Sequence, residues 1–203
     1  MKSVVRKEIE KTPKIAILTL ILLITLVISI IGSIIRQNWV LMILTIVVAI
    51  LITLPRFIGK WSNIKFPDKL EVYIILFFYM TLFLGELKSY YATYWWWDAL
   101  LHTSSGLAFG ILGFIILYVL YKTDKIKTSP KTIALLSLTF ALAMGALWEI
   151  AEFGIDTAFN TTRMQGASLH DTMWDLIVDT LGGLASSVMI YLYLKHDSGV
   201  VIE

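Results

Sequence analysis

Long apolar runs separated by short charged loops dominate this chain. A helix needs roughly 20 apolar residues to cross about 30 Å of hydrocarbon. Six stretches approach or meet that length: about residues 15–35, 39–54, 70–87, 99–121, 132–155 and 173–194. The pattern predicts an all-α, polytopic membrane helical bundle of about six transmembrane helices, placed as a multi-pass protein in the cell (plasma) membrane. The second run is the shortest, and only Arg36, Gln37 and Asn38 separate it from the first. Residues 1–55 therefore read as an N-terminal helical hairpin and 70–195 as a four-helix core, together one membrane domain over 1–203. Pro55 and Pro130 stand at expected helix boundaries, where a missing backbone N–H costs little. No internal repeat and no dividing linker interrupts the series.

Composition supports this reading. Of 203 residues, 58% are hydrophobic and the mean hydropathy is +0.78, too apolar for an ordinary soluble domain. The absence of cysteine removes disulfides and thiolate metal sites from consideration. A basic start (Lys2, Arg6, Lys7, Lys11, Lys14) leads into the first apolar run with no small-residue cleavage site, as expected of an uncleaved first span. Orientation follows from where the bases lie. Fourteen Lys and Arg fall on the side of the two termini, and Arg36, Lys88 and Arg163 on the other. Both termini are thus expected in the cytoplasm. The basic inner loops are accounted for by topology and call for no nucleic acid.

The acids distribute differently. Glu86, Asp98, Glu149, Glu152, Asp156, Asp171, Asp175 and Asp179 gather at or near the outer ends of spans three to six. Residues three or four apart share a helix face. That spacing pairs Asp98 with His102, aligns Glu149, Glu152 and Asp156, and aligns Asp171, Asp175 and Asp179. The His102 face continues inward as Gly106, Gly110 and Gly113, and the Asp179 face as Gly182, Gly183 and Ser186. Small residues let helices approach closely in lipid. The expectation is three helices packed tightly inward and opening outward into an acidic cup. Asp179 lies roughly 12 Å along the helix from Asp171, too deep for an acid at headgroup level. Ionised groups in a bilayer face a bundle interior and find partners there. The compensation can be shared protons, a bound cation, or Arg163 folding back with Lys88. Carboxylates with one imidazole suit a divalent metal ion such as Mn, Zn, Fe or Mg. The candidate ligands are Asp98, His102, Glu149, Glu152, Asp171, Asp175 and Asp179, with Glu149 and Asp175 as candidate catalytic residues.

Plainer roles compete for some of these. Asp98 can act as an N-cap behind an interfacial belt formed by Trp95, Trp96 and Trp97. His102 can be a satisfied buried histidine. Asp171 can cap the last span, where its charge suits the helix dipole. Asp156 and Glu86 can be solvated loop acids, His170 a surface residue and His196 part of the tail. Tyr90, Tyr91 and Tyr94 extend the aromatic belt. Asn160 begins an Asn-Thr-Thr triplet that matters only where such sites are glycosylated. Glu149, Glu152, Asp175 and Asp179 lie within apolar runs and fit these roles least.

Three segments together carry a family likeness: "DALLHTSSGLAFG", "LWEIAEFGID" and "MQGASLHDTMWDLIVDTLGG". They resemble the YjdF-like family of prokaryotic inner-membrane proteins. That family's pattern maps onto Asp98 and His102, Glu149 and Glu152, Gln165 and Gly166, then Asp171, Thr172 and Asp175. The order is also similar to the VanZ-like family linked to teicoplanin resistance. There, however, Glu152 stands in place of a Gln and Asp179 in place of an Asn. The resemblance covers spans three to six. It implies a site at these residues and names no substrate.

Three functions fit. One is a metal-assisted hydrolase or transferase acting near the outer leaflet on a lipid-linked or envelope substrate. Another is a cation or proton-coupled carrier, against which stand the one-sided cluster and the lack of an inverted repeat. The third is a non-catalytic scaffold binding a lipid or glycopeptide.

Overall fold

The computed structural model describes residues 13–62, 68–162 and 168–196, and every regular element among them is helical. Helix α1 spans Pro13–Ile35, α2 Trp39–Ser62 and α3 Asp68–Phe78, which continues as a π-helical segment over Tyr79–Leu87. A single turn, α4 (Tyr90–Thr93), precedes α5 (Trp97–Lys122), α6 (Pro130–Phe159) and α7 (Leu169–His196). Among the described residues, six helical stretches are long and apolar enough to cross a membrane, as the hydrophobic pattern predicts. Their outer faces carry side chains such as Ile28 and Ile150, each 64% exposed. Apolar surface of that extent marks a lipid-facing or partner-facing protein.

Helix ends follow local chemistry. Asn38 Oδ1 accepts from the Leu41 amide at 3.1 Å and opens α2. Ser129 Oγ accepts from the Thr132 amide at 3.1 Å, with Pro130 next to it in the first turn. This cap is ordinary in kind, so Ser129→Ala should cost about 1 kcal/mol, read as a small drop in the melting temperature in detergent. Asn160, the residue of the triplet, closes α6 in the left-handed conformation at φ 50°.

Two expectations need correction. Pro55 does not end the second span, because α2 runs through it to Ser62 and buries its ring. In water an internal proline costs about 3 kcal/mol. In hydrocarbon the helix satisfies the backbone on either side of it, so the helix continues. The third span is also not uniformly α-helical. Lys88 N–H bonds the Phe83 carbonyl at 2.9 Å, five residues back, at the end of the π segment. Apolar periodicity reports a helix there without revealing the wider turn.

The chain divides into two compact units, Met1–Tyr94 and Trp95–Glu203, so the span expected over 70–87 groups with the first two. In the first unit, Leu26, Val48, Ile52, Ile75, Tyr79 and Phe83 form the core. The Thr25 and Tyr79 hydroxyls meet at 2.7 Å within it. Glu71, 2% exposed, lies 3.7 Å from the Arg56 guanidinium. In the second unit α5, α6 and α7 pack on one another, with Ile133, Ala134, Ile190 and Leu194 buried at one end. The acids occupy the other.

Candidate functional site

Below the acids, glycines bring backbone against backbone. A Cβ added to Gly106 would strike the Asp179 carbonyl oxygen, and one on Gly182 the Thr103 carbonyl oxygen, so α5 and α7 touch without intervening side chains. Gly110 backs onto Ser186 Oγ. Across the same seam Gly183 faces Ala141 and Leu138, where an added Cβ would sit 3.0 and 3.2 Å from the nearest atoms. The Ser187 hydroxyl donates to the Ala134 carbonyl at 2.8 Å and ties α7 to α6. The faces marked by small residues are the packed faces, as close approach in lipid requires.

One turn beyond Gly106 the seam opens onto His102, 7% exposed. Asp98, His102 and Asp175 each offer one ligand atom within 4.8 Å of the other two. His102 Nε2 lies 3.5 Å from Asp98 Oδ1, while Nδ1 lies 3.2 Å from Asp179 Oδ2. The other Asp179 oxygen accepts from the Ser105 hydroxyl at 3.0 Å. Gly145 of α6 makes room for this carboxylate, since a Cβ there would stand 2.6 Å from Asp179 Oδ2. Glu149 and Glu152 are 5% and 8% exposed on the same side of α6. His102 and Asp98 are electrostatic neighbours of both. Asp175 in turn feels Asp98, His102, Asp171 and Glu149. This buried acid–histidine group can hold a metal ion.

The remaining expectations separate. Asp98 does not cap α5, because Trp96 occupies that position with no side-chain cap bond, and Asp98 sits in the first turn. Asp171 is likewise in the first turn of α7, where Ser168 Oγ accepts from its amide at 3.3 Å. Asp156 is not a solvated loop acid: it is 6% exposed within α6, and the Thr161 hydroxyl donates to it. The tryptophan belt is only partial. Trp95 is 87% exposed, whereas Trp97 is 5% exposed and packs near Trp96. Glu86 and His170 are exposed. Lys88 lies over the Phe83 ring, 5.0 Å from its centroid. Arg163, Gln165 and Gly166 lie outside the described residues. Ser105 and Gly145 are the site residues that the sequence reading leaves out. Their only signal was spacing: Ser105 follows His102 by three and Gly145 precedes Glu149 by four.

Beside the acids, an open groove of about 590 Å³ runs between the end of α6 and the start of α7. Thr157, Asn160, Thr161, Ser168 and Thr172 line it with hydroxyls and an amide.

Comparison with known proteins gives a family and no reaction. A relative in Thermotoga maritima, described as an uncharacterized protein, is 25% identical over 140 residues, covering 68% of this chain and 69% of that one. No solved structure matches. The profile of a family described as predicted membrane protein (DUF2238) matches residues 15–196. That span takes in all six membrane-crossing helices and every acid and histidine of the site, and the chain belongs to this family.

Proposed function

We propose that this protein is an integral membrane protein that binds a divalent cation between Asp98, His102 and Asp175, and uses it for hydrolysis or group transfer on a lipid-linked or envelope substrate. The observation that carries the reading is the 3.5 Å separation of His102 Nε2 and Asp98 Oδ1, with Asp175 converging on both. A direct N–H···O bond is centred near 2.9 Å. The separation found is wider than that, so a cation can be held between the two atoms. The donor set of carboxylate oxygen and imidazole nitrogen suits Mn, Zn, Fe or Mg. A cation held by Asp98, His102 and Asp175 would supply Lewis-acid polarisation of a phosphoryl or carbonyl oxygen. Asp175 holds the cation, and Glu149, next to the group, is the general base. The distribution of Lys and Arg assigns this end to the outer leaflet, and the YjdF-like motifs coincide with the same residues.

The backbone contacts at Gly106 and Gly182 close the seam directly beneath Asp179. They weigh against a carrier, which would need a path inward from the acids. The test is metal content by mass spectrometry on detergent-purified protein that has been stripped and reloaded. Wild type should retain about one ion per chain, and Asp175→Asn should not. Equally low retention in both would remove the reading.

A further inference from the structure

We propose that Asp179 is a positioning residue: it keeps a hydrogen on His102 Nδ1, so that Nε2 is the nitrogen turned toward Asp98. The role of Nε2 as a ligand rests on the metal reading above, whereas the hold of Asp179 on Nδ1 does not. Asp179 spacing alone marks it as one more ligand in line with Asp171 and Asp175. The geometry points to a different part. Its carboxylate lies on the far side of the imidazole from Asp98, with Oδ2 3.2 Å from Nδ1. The residue is 2% exposed.

Three helices clamp that carboxylate. From α5, Ser105 donates to Oδ1 at 3.0 Å, and Gly106 lies against the Asp179 carbonyl oxygen, which fixes the height of α7 beside His102. From α6, the missing side chain at Gly145 leaves the space that Oδ2 fills. An ionised carboxylate is acceptor-only, so a hydrogen between Oδ2 and the ring belongs to Nδ1. A ring nitrogen held in this way orients the imidazole and raises the basicity of the opposite one. The reverse arrangement, with the hydrogen on Asp179 and Nε2–H aimed at Asp98, would block a cation at Nε2.

The test is nitrogen-15 NMR of the full chain in detergent with labelled histidine. Loss of signal in His102→Gln assigns the ring among the three histidines. Wild type should carry the hydrogen on Nδ1 both metal-free and with zinc added. Asp179→Ala should lose that pattern, and Asp179→Asn, whose amide oxygen still accepts, should recover it. Gly145→Ala keeps Asp179 but crowds its carboxylate, and should perturb the ring in the same direction. Zinc affinity, measured by chelator competition, should fall about 10–100-fold in Asp179→Ala and return in part with Asn. A bare Nδ1 in wild type, or an unchanged ring in Asp179→Ala, overturns the proposal. Should the wild type bind no zinc, the metal reading falls, and the metal-free spectra alone decide the part played by Asp179.

Discussion

Asp175→Asn and His102→Ala are each expected to weaken divalent-cation binding by more than about 100-fold, while Glu149→Gln leaves it within a few-fold of wild type. The limit comes from comparison: losing a group that merely orients a ligand costs about 10–100-fold, and losing a ligand should exceed that. Asp175 is 3% exposed and belongs to the group of three converging atoms. Its amide analogue keeps the shape but loses the charge that offsets a cation. Asp98 is more open, its side chain 35% exposed, and water can replace part of what Asp98→Asn removes, so a smaller loss is expected there. Glu149 stands outside that group, and as a base it would be dispensable for binding. Competition with a chelator of known affinity measures all four. An unchanged dissociation constant in Asp175→Asn would contradict the proposed centre.

Gly182→Ala should destabilise the protein clearly, whereas Gly154→Ala, in the neighbouring helix, should leave it unchanged or slightly more stable. An added methyl at Gly182 would overlap the Thr103 carbonyl oxygen and approach the Leu107 amide nitrogen at 2.9 Å. Both are backbone atoms, so no side chain can swing aside and α5 must part from α7. Overpacking of this kind costs about 1–3 kcal/mol. At about 2–4 °C per kcal/mol for a chain of this size, the melting temperature should fall by several degrees. Parting these helices also draws His102 away from Asp179, so zinc binding should weaken in the same variant. At Gly154 nothing lies within 4 Å of the added atom, and alanine gains up to about 1 kcal/mol in helix propensity. Thermal unfolding in one detergent ranks the pair. A Gly182→Ala protein as stable as Gly154→Ala would mean that the two helices are not held at backbone distance.

Much of the site was legible because helical spacing is rigid. Asp98 and His102, Glu149 and Glu152, and Asp175 and Asp179 each share a face by arithmetic alone, and each pair does lie together on its helix. The glycine faces were legible for the same reason, since a run of small residues leaves little else to pack. Spacing could not say which carboxylate meets which ring nitrogen. That depends on the height of α7 beside α5, which Gly106 and Gly182 set through contacts 73 and 79 residues away in sequence. Asp156 was misjudged because the expected span stopped at residue 155. Its helix continues to Phe159, and the Thr161 hydroxyl donates to its carboxylate. Trp97 was misjudged because three consecutive tryptophans point in three directions, and one of those directions is inward.

The hydrophobic lengths and the charged punctuation were enough to demand six helices, because apolar runs of about 20 residues match a membrane-crossing helix and are roughly twice as long as a barrel strand needs to be. They were also enough to gather the acids at one end, since each helix carries its acids at a known height. The division of labour among those acids arises only when three helices close on one another. Asp98 comes to face one nitrogen of His102 while Asp179 takes the other, with Asp175 close by, and Gly145 supplies the space for the Asp179 carboxylate. Such pairings are set by inter-helix distances of a few ångströms, and no periodicity within a single helix encodes them.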